Sequence, residues 1–326
     1  MPANLPPQYF EAERRLRAAK EPEEKIEALQ SMLAIMPRHK GTDRLHGELR
    51  RKIARLSEEA ERRYATARRV GFWIRREGAA QVMLVGAANA GKSQLLAAVT
   101  EASPEIAAYP FTTKTLVPGM MKFEDIHIQL VDTPPVKHRN VRILLGNPLR
   151  GADLIAIVVD LANEPTSQVQ DTLQALVAAR IEPMVPGASE SVTGSSYKKM
   201  LVVGNKSDSP GAIGNLQRLT ERYARLFRVV SISAKEKRGL EEFKRAIIEA
   251  LDILRVYTKA PGTKADLSEP VILKRGSTIG DAAAAIHKDF KKELKYALLW
   301  GSGKYDGQSV SRSHVLQDGD VVEFHV

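Results

Sequence analysis

The sequence predicts an α/β protein with a mainly parallel sheet, preceded by a basic helical hairpin and followed by a small β-grasp-like α+β module. Three observations carry this prediction. Short apolar runs alternate with amphipathic helical stretches between residues 81 and 256, the pattern of a parallel sheet covered by helices. Gly86-Ala-Ala-Asn-Ala-Gly-Lys-Ser93 lies between the first of those runs and a helical pattern. A separate stretch near the C-terminus places one helix among short strands within about sixty residues.

Residues 8–66 read as helical. Ile26, Leu29, Leu33 and Met36 share one face, and Leu45, Leu49, Ile53 and Leu56 share another. The turn between them, Pro37 to Asp43, holds both Pro and Gly. Strands are expected at 81–85, 126–131, 154–160, 200–204 and 228–232. A Pro-, Gly- and Ser-rich loop is expected over 183–197. The last helix of this region carries Leu240, Phe243, Ile247, Leu251 and Leu254 on one stripe. Lys259 to Lys264 reads as a linker. Beyond it come a strand at Val271–Leu273, a helix over 279–290 opened by a Thr278/Asp281 capping box, a strand at Tyr296–Trp300 and a closing strand at 321–326. Trp300 ends an apolar strand and is expected to pack in the small core. The expected domains are 1–78, 79–258 and 269–326, with 259–268 as linker.

Residues 86–93 match G-x-x-x-x-G-K-S in the strand–loop–helix context that a phosphate-binding loop requires. Small residues let a polyphosphate approach the backbone amides and the helix N-terminus. Gly86, Asn89, Ala90, Gly91, Lys92, Ser93 and Gln94 are the candidate contacts; Lys92 reaches the β- and γ-phosphates and Ser93 ligates Mg²⁺. Asn205-Lys-Ser-Asp208 follows a second apolar run. A carboxylate at Asp208 accepts from both the N1–H and the exocyclic amine of guanine, donors that adenine does not present together. Asn205 would tie this loop to the phosphate loop, and the Lys206 stem would cover the base. Ser233-Ala-Lys235 follows the strand 228–232, where a backbone amide for the guanine carbonyl is needed. Asp132 ends the strand 126–131 and suits Mg²⁺ through water. Thr113, in Pro110-Phe-Thr-Thr113, offers a hydroxyl and backbone to Mg²⁺ and the γ-phosphate.

Together these segments resemble the translation-factor-related GTPases of the Obg branch. Tyr109–Thr113 and Thr112–Gly119 are similar to switch I of the developmentally regulated GTP-binding proteins, and Arg38–His46 to their N-terminal helical segment. Lys295–Gly301 and His314–Val322 resemble their C-terminal TGS domain. The resemblance implies a P-loop GTPase domain binding GTP and GDP with Mg²⁺, and slow hydrolysis. Thr113, Asn89 and Lys92 match the catalytic positions, and Asn89 matches an asparagine that ligates K⁺. Metal contacts fall on Ser93, Thr113 and, through water, Asp132. Ribosome or ribosomal RNA is the implied partner, with a regulatory protein at the TGS domain or hairpin. The alternative reading is a GTP-binding scaffold with little intrinsic hydrolysis.

Two departures and one match sharpen that choice. Pro135 stands where the family's D-x-P-G switch II has glycine, which removes one backbone donor. Val136, apolar as in the Obg branch, stands where Ras-type enzymes place a water-orienting glutamine, and neither Arg139 nor Arg142 can be assigned a catalytic role. The 40 residues from Leu161 to Met200 are too few for the extra domain that eukaryotic and archaeal members carry.

Composition narrows the classes further. With no cysteine, thiolate metal sites and thiol catalysis are excluded. The isolated His138, His287 and His314 predict no metal triad. The start, Met1 to Pro7, reads as no secretory leader, and no apolar run is long enough to span a membrane. A cytoplasmic protein is expected. Net charge is +10, and residues 1–80 carry 18 Lys and Arg against 12 Asp and Glu. That excess favours an anionic partner without DNA specificity. Lys288, Lys291, Lys292 and Lys295 cluster near the last helix, but residues 262–326 hold nine basic and nine acidic residues, so a solvated face is expected there.

Overall fold

The computed structural model describes residues 7–18, 22–37, 42–70, 74–100, 116–136, 145–184, 194–263 and 265–325. The chain divides into two units, residues 1–72 and 73–326.

The first unit contains α1 (Pro7–Ala18), α2 (Pro22–Ile35) and α3 (Asp43–Val70). The expected hairpin is α2 and α3, and α1 adds a further helix. Ile26, Leu29 and Met36 are buried and Leu33 half-buried, as the helical spacing requires. Leu29, Leu33 and Met36 pack with Tyr9, Ala12, Met32 and Leu49. At the turn, the Thr42 hydroxyl donates to the Pro37 carbonyl at 2.7 Å and fixes the re-entry of the chain.

The second unit begins with β1 (Ala80–Val85), α4 (Lys92–Val99), β2 (Val117–Phe123), β3 (Ile126–Asp132), α5 (Gly146–Gly151) and β4 (Leu154–Asp160). It continues with α6 (Pro165–Ala178), β5 (Ile181–Pro183), β6 (Ser196–Asn205), α7 (Ala212–Tyr223), β7 (Arg228–Ser231) and α8 (Leu240–Leu251). The seven-stranded sheet runs β2-β3-β1-β4-β6-β5, with β7 also pairing β6. Every pairing is parallel except the β2–β3 hairpin. The central strands β1 and β4 are buried throughout, which is why they read as unbroken apolar runs. Phe243, Ala246 and Ile247 of α8 seal one face against Val203 and Val230. Truncating a fully buried Phe such as Phe243 costs about 3–5 kcal/mol.

α8 stops at Leu251 because Asp252 turns left-handed, with φ 56°. Leu254 is therefore not on the helix stripe. It lies in β8 (Ile253–Thr258), a strand that belongs to the second sheet although the sequence assigned it to the domain 79–258. That sheet also holds β9 (Asp266–Lys274), β10 (Tyr296–Trp300), β11 (Gln308–Val310) and β12 (Asp320–His325), in the order β11-β10-β12-β8-β9. The expected helix 279–290 is two helices, α9 (Ile279–Ile286) and α10 (Lys288–Glu293), broken where His287 is extended. The Thr278/Asp281 capping box forms as expected. Trp300 is not in the core: Ala297 and Leu299 face inward, and strand alternation turns Trp300 to the other face, where the Lys259 ammonium sits 3.9 Å from its ring centre.

The two sheets meet at the turn of the β2–β3 hairpin. Arg255 on β8 pairs with Glu124, with Asp125 at 2.8 Å and with Asp318 at 2.8 Å. The Tyr257 hydroxyl donates to Asp125 at 2.5 Å, and its pKa is pushed up to about 12 by burial and by that carboxylate. Ile253 and Ile272 pack against the first sheet's core beside this cluster. Of the expected loop 183–197, residues 185–193 lie outside the described residues.

Candidate nucleotide-binding site

β1 delivers the chain to a loop whose glycines are fixed by what surrounds them. A Cβ on Gly86, at φ 151°, would lie 2.1 Å from the Val158 carbonyl oxygen of β4. One on Gly91, at φ 88°, would lie 2.2 Å from the Asn205 amide nitrogen. Gly91 is also the N-cap of α4, so no side chain caps the first-turn amides of Lys92, Ser93 and Gln94. That leaves a helix N-terminus suited to an anion.

Lys92 is buried and donates to the carbonyls of Gly86 at 3.3 Å and Ala87 at 3.0 Å. Burial lowers its pKa, and the nearby Asp132 charge partly restores it. Asp132 ends β3 and is likewise buried. Its Oδ2 accepts from the Ser93 hydroxyl at 2.5 Å, while its Oδ1 is buried with no hydrogen-bond partner. Burial raises the Asp132 pKa against the opposing pull of Ser93 and Lys92. An unpartnered carboxylate oxygen next to a hydroxyl fits a hard divalent cation such as Mg²⁺, which takes oxygen ligands and retained waters. Ser93 and Asp132 are the residues that would hold it, and its charge would neutralise phosphate oxygens.

A cleft of about 590 Å³ opens over these groups, bounded by Asn89, Lys92, Ser93, Asp132, Pro135 and Lys206. Asn89, exposed and left-handed at φ 62°, lines it. Asn205 is fully buried and knots three segments together. Its Nδ2 donates to the Ala90 carbonyl at 2.9 Å, and its Oδ1 accepts from the Lys206 amide at 2.8 Å and the Ala234 amide at 3.1 Å. Asp208 accepts from the Ser233 hydroxyl at 2.6 Å, and this bond holds its carboxyl below the usual carboxylate range. Ser233 Oγ in turn accepts from the Glu236 amide, which leaves Lys235 at the exposed tip of the turn.

Sequence reasoning missed Asp160. It caps β4, takes the Lys206 ammonium at 2.6 Å and accepts from Asn163 and from the Ala162 amide. Lys206 is thereby aimed across the base-side loop from a left-handed backbone, φ 64°. The available signal was a carboxylate ending an otherwise apolar strand. In switch II, Thr133 returns its amide and hydroxyl to the Leu84 carbonyl. Pro134 and Pro135 have no amide to give. Thr113, Tyr109–Thr113 as a whole, His138, Arg139 and Arg142 lie outside the described residues. No cluster of metal-ligating His, Cys, Asp or Glu occurs among the described residues, and no helix there is long and apolar enough to cross a membrane.

Comparison with known proteins places these features in a family. Residues 81–188 match the family model described as 50S ribosome-binding GTPase, and residues 254–326 match the TGS domain. The TGS match includes β8, in agreement with the second sheet. A GTP-binding protein of Halobacterium salinarum is 30% identical over 361 aligned positions, covering 92% of this chain and 98% of that protein. The alignment is longer than this chain, so the relative carries residues that this chain lacks. Ribosome-interacting GTPase 1 of Saccharomyces cerevisiae is 27% identical, covering 92% of this chain and 97% of its own length. Human developmentally-regulated GTP-binding protein 2 is 25% identical with similar coverage. A crystal structure of a GTP-binding protein from Pyrococcus horikoshii shares the fold, with a TM-score of 0.51 at 15% identity over 75% of this chain and 99% of that one. Matched over nearly its whole length, with a GTPase domain followed by a TGS domain, the chain belongs to the GTP-binding protein family that includes the developmentally-regulated GTP-binding proteins.

Proposed function

We propose that this GTP-binding protein is a Mg²⁺-dependent hydrolase that converts GTP to GDP and phosphate and so switches its contacts with the ribosome or ribosomal RNA. The observation that supports the reading is the Asn205 knot, which ties the loop at Ala90 to the segments at Lys206 and Ala234, with Asp208 held on the neighbouring Ser233 as the base-reading carboxylate. Water attacks the γ-phosphorus, the bond to the β–γ bridging oxygen breaks, and GDP leaves with the electron pair. Lys92 would hold the phosphates, and Ser93, with Asp132 through water, would hold Mg²⁺, which would supply positive charge against the phosphate oxygens. Thr113 completes the metal and γ-phosphate contacts. Asn89 would hold K⁺, which would supply the positive charge that an arginine provides elsewhere. With Val136 at the water-orienting position, turnover is slow without a partner or K⁺.

The basic N-terminal hairpin meets the anionic partner, and the TGS domain meets a regulatory protein, in a cytoplasmic setting. The yeast relative named as ribosome-interacting supports the partner. The test is multiple-turnover phosphate release with and without Mg²⁺, in potassium and in sodium, with and without ribosomes. Faster release in potassium and on ribosomes is expected, and equal rates in both salts remove the K⁺ role from Asn89. Sedimentation with ribosomal subunits should weaken steeply with salt. A second reading is favoured by Pro135, which denies switch II one amide, and by Val136. On that reading the protein is a GTP-binding scaffold with little intrinsic hydrolysis, and phosphate release stays near background under every condition.

A further inference from the structure

A γ-phosphate brings three charged oxygens that need donors, and a bound triphosphate would set it beside Lys92. Pro134 and Pro135 line the same cleft as Lys92 and Ser93, so switch II is the backbone that faces it. The amides of this segment can be accounted for one by one. Thr133 N–H is committed across the sheet to the Leu84 carbonyl at 3.3 Å, where the Thr133 hydroxyl also donates. Positions 134 and 135 have none. The next amide is Val136. It donates to the Gly86 carbonyl at 3.1 Å, the same oxygen that takes the Lys92 ammonium at 3.3 Å. Two donors thus converge on one neutral carbonyl at the head of the phosphate loop.

We propose that the Val136 amide is the switch II donor that senses the γ-phosphate, exchanging the Gly86 carbonyl for a phosphate oxygen when GTP binds. The proposal rests on the nucleotide-binding reading of this cleft and makes it specific. A phosphate oxygen is charged, and hydrogen bonds to charged acceptors are stronger than those to a carbonyl. Lys92 turns to the phosphates of either nucleotide, so it does not discriminate between them. The Val136 amide has an alternative acceptor only when a γ-phosphate is present. The two prolines fix φ on the approach to Val136 and set where its N–H points, so the donor lies one residue further along than a glycine at 135 would put it.

Calorimetry with GDP and with guanylyl imidodiphosphate, on the full chain, tests this. Val136→Pro removes the donor, and Val136→Ala keeps it. Val136→Pro is expected to weaken the triphosphate analogue about ten-fold or more, with GDP changed less than about two-fold. Val136→Ala is expected to keep the parent's ratio of the two affinities. Pro135→Gly on the Val136→Pro background supplies a new upstream amide and is expected to recover most of the lost affinity. In isotope-labelled parent protein, the Val136 amide proton should shift between the GDP and analogue complexes, a readout that needs no variant. Equal loss of both nucleotides in Val136→Pro together with an unmoved amide resonance overturns the proposal, as does an unchanged analogue affinity. A parent that binds neither nucleotide overturns the reading of the cleft itself, a distinct result from a parent that binds both without using Val136.

Discussion

The Asn205 network on the base side and the phosphate-loop cleft are built on opposite principles. On the base side, Asn205, Ser233 and Ala234 are buried, and each polar atom of the Asn205 side chain has a protein partner. Asp208 is oriented by Ser233, and Lys206 by Asp160. On the phosphate-loop side, a buried carboxylate oxygen of Asp132 has no partner, a lysine is held on neutral carbonyls, and two prolines remove donors. A satisfied network is rigid, because moving any member leaves another unpaired in a low dielectric. An unsatisfied one favours whatever ligand completes it. The Asn205 network therefore needs no ligand to complete it, whereas the phosphate-loop side does.

The comparison is broken most sharply at the point where the two sides touch. Gly91→Ala drives a Cβ into the Asn205 amide and forces a left-handed backbone on a residue with a side chain. Loss of measurable nucleotide binding by calorimetry is the expected result. Retained binding would mean that the two loops are not coupled through Asn205.

The next effect isolates selectivity. Asp208→Asn is expected to weaken GTP by about a hundredfold or more, because one acceptor becomes a donor facing guanine. Xanthine nucleotides should gain, since the new amide can donate to the xanthine oxygen. A competition titration with GTP and XTP checks both directions, and unchanged GTP affinity removes Asp208 from base reading.

Asp132→Asn tests the phosphate-loop side. Burial raises the Asp132 pKa, so the native state holds this proton more tightly than the unfolded chain. Its stabilising contribution is full below the unfolded carboxylate value and is lost as pH rises through the raised native one. In EDTA, the parent should lose stability relative to Asp132→Asn across that window, read by urea unfolding at successive pH values. The same variant should lose the effect of Mg²⁺ on nucleotide affinity. A parent and variant with parallel pH profiles would show that the buried carboxylate is already compensated.

The smallest effect lies outside the cleft. Arg255→Ala breaks the cluster of Glu124, Asp125 and Asp318 that joins the sheets, and should cost about 1–2 kcal/mol because its partners are partly solvated. GDP affinity should be unchanged, since the cluster is separate from both the network and the cleft.

Much of this was legible in the residues. Gly86–Ser93 and Asn205–Asp208 announce themselves because backbone approach and base reading each require particular residue types at fixed spacing. β1 and β4 were legible because burial on both faces leaves only apolar residues. β2, β5 and β11 were not: they are short or half-exposed edge strands with weak alternation, and their strand character comes from a neighbour. The break at His287 is invisible to periodicity, because the apolar spacing runs on from Ile286 to Phe290 across it. Asp160 looked like the end of a strand until Lys206, 46 residues away, came to rest on it.

By itself the sequence determined the fold class, the two nucleotide motifs, the second module and the missing donor at Pro135. These depend on local chemistry: side-chain period, glycine where no Cβ fits, and a ring that cannot donate. Only the tertiary structure decided that β8 belongs to the second sheet, that Trp300 faces away from the core, that Asp132 keeps an oxygen unpartnered, and that the Val136 amide rests on Gly86. Each of those depends on which distant group fills the remaining space or the remaining hydrogen bond, and only the folded chain brings such groups together.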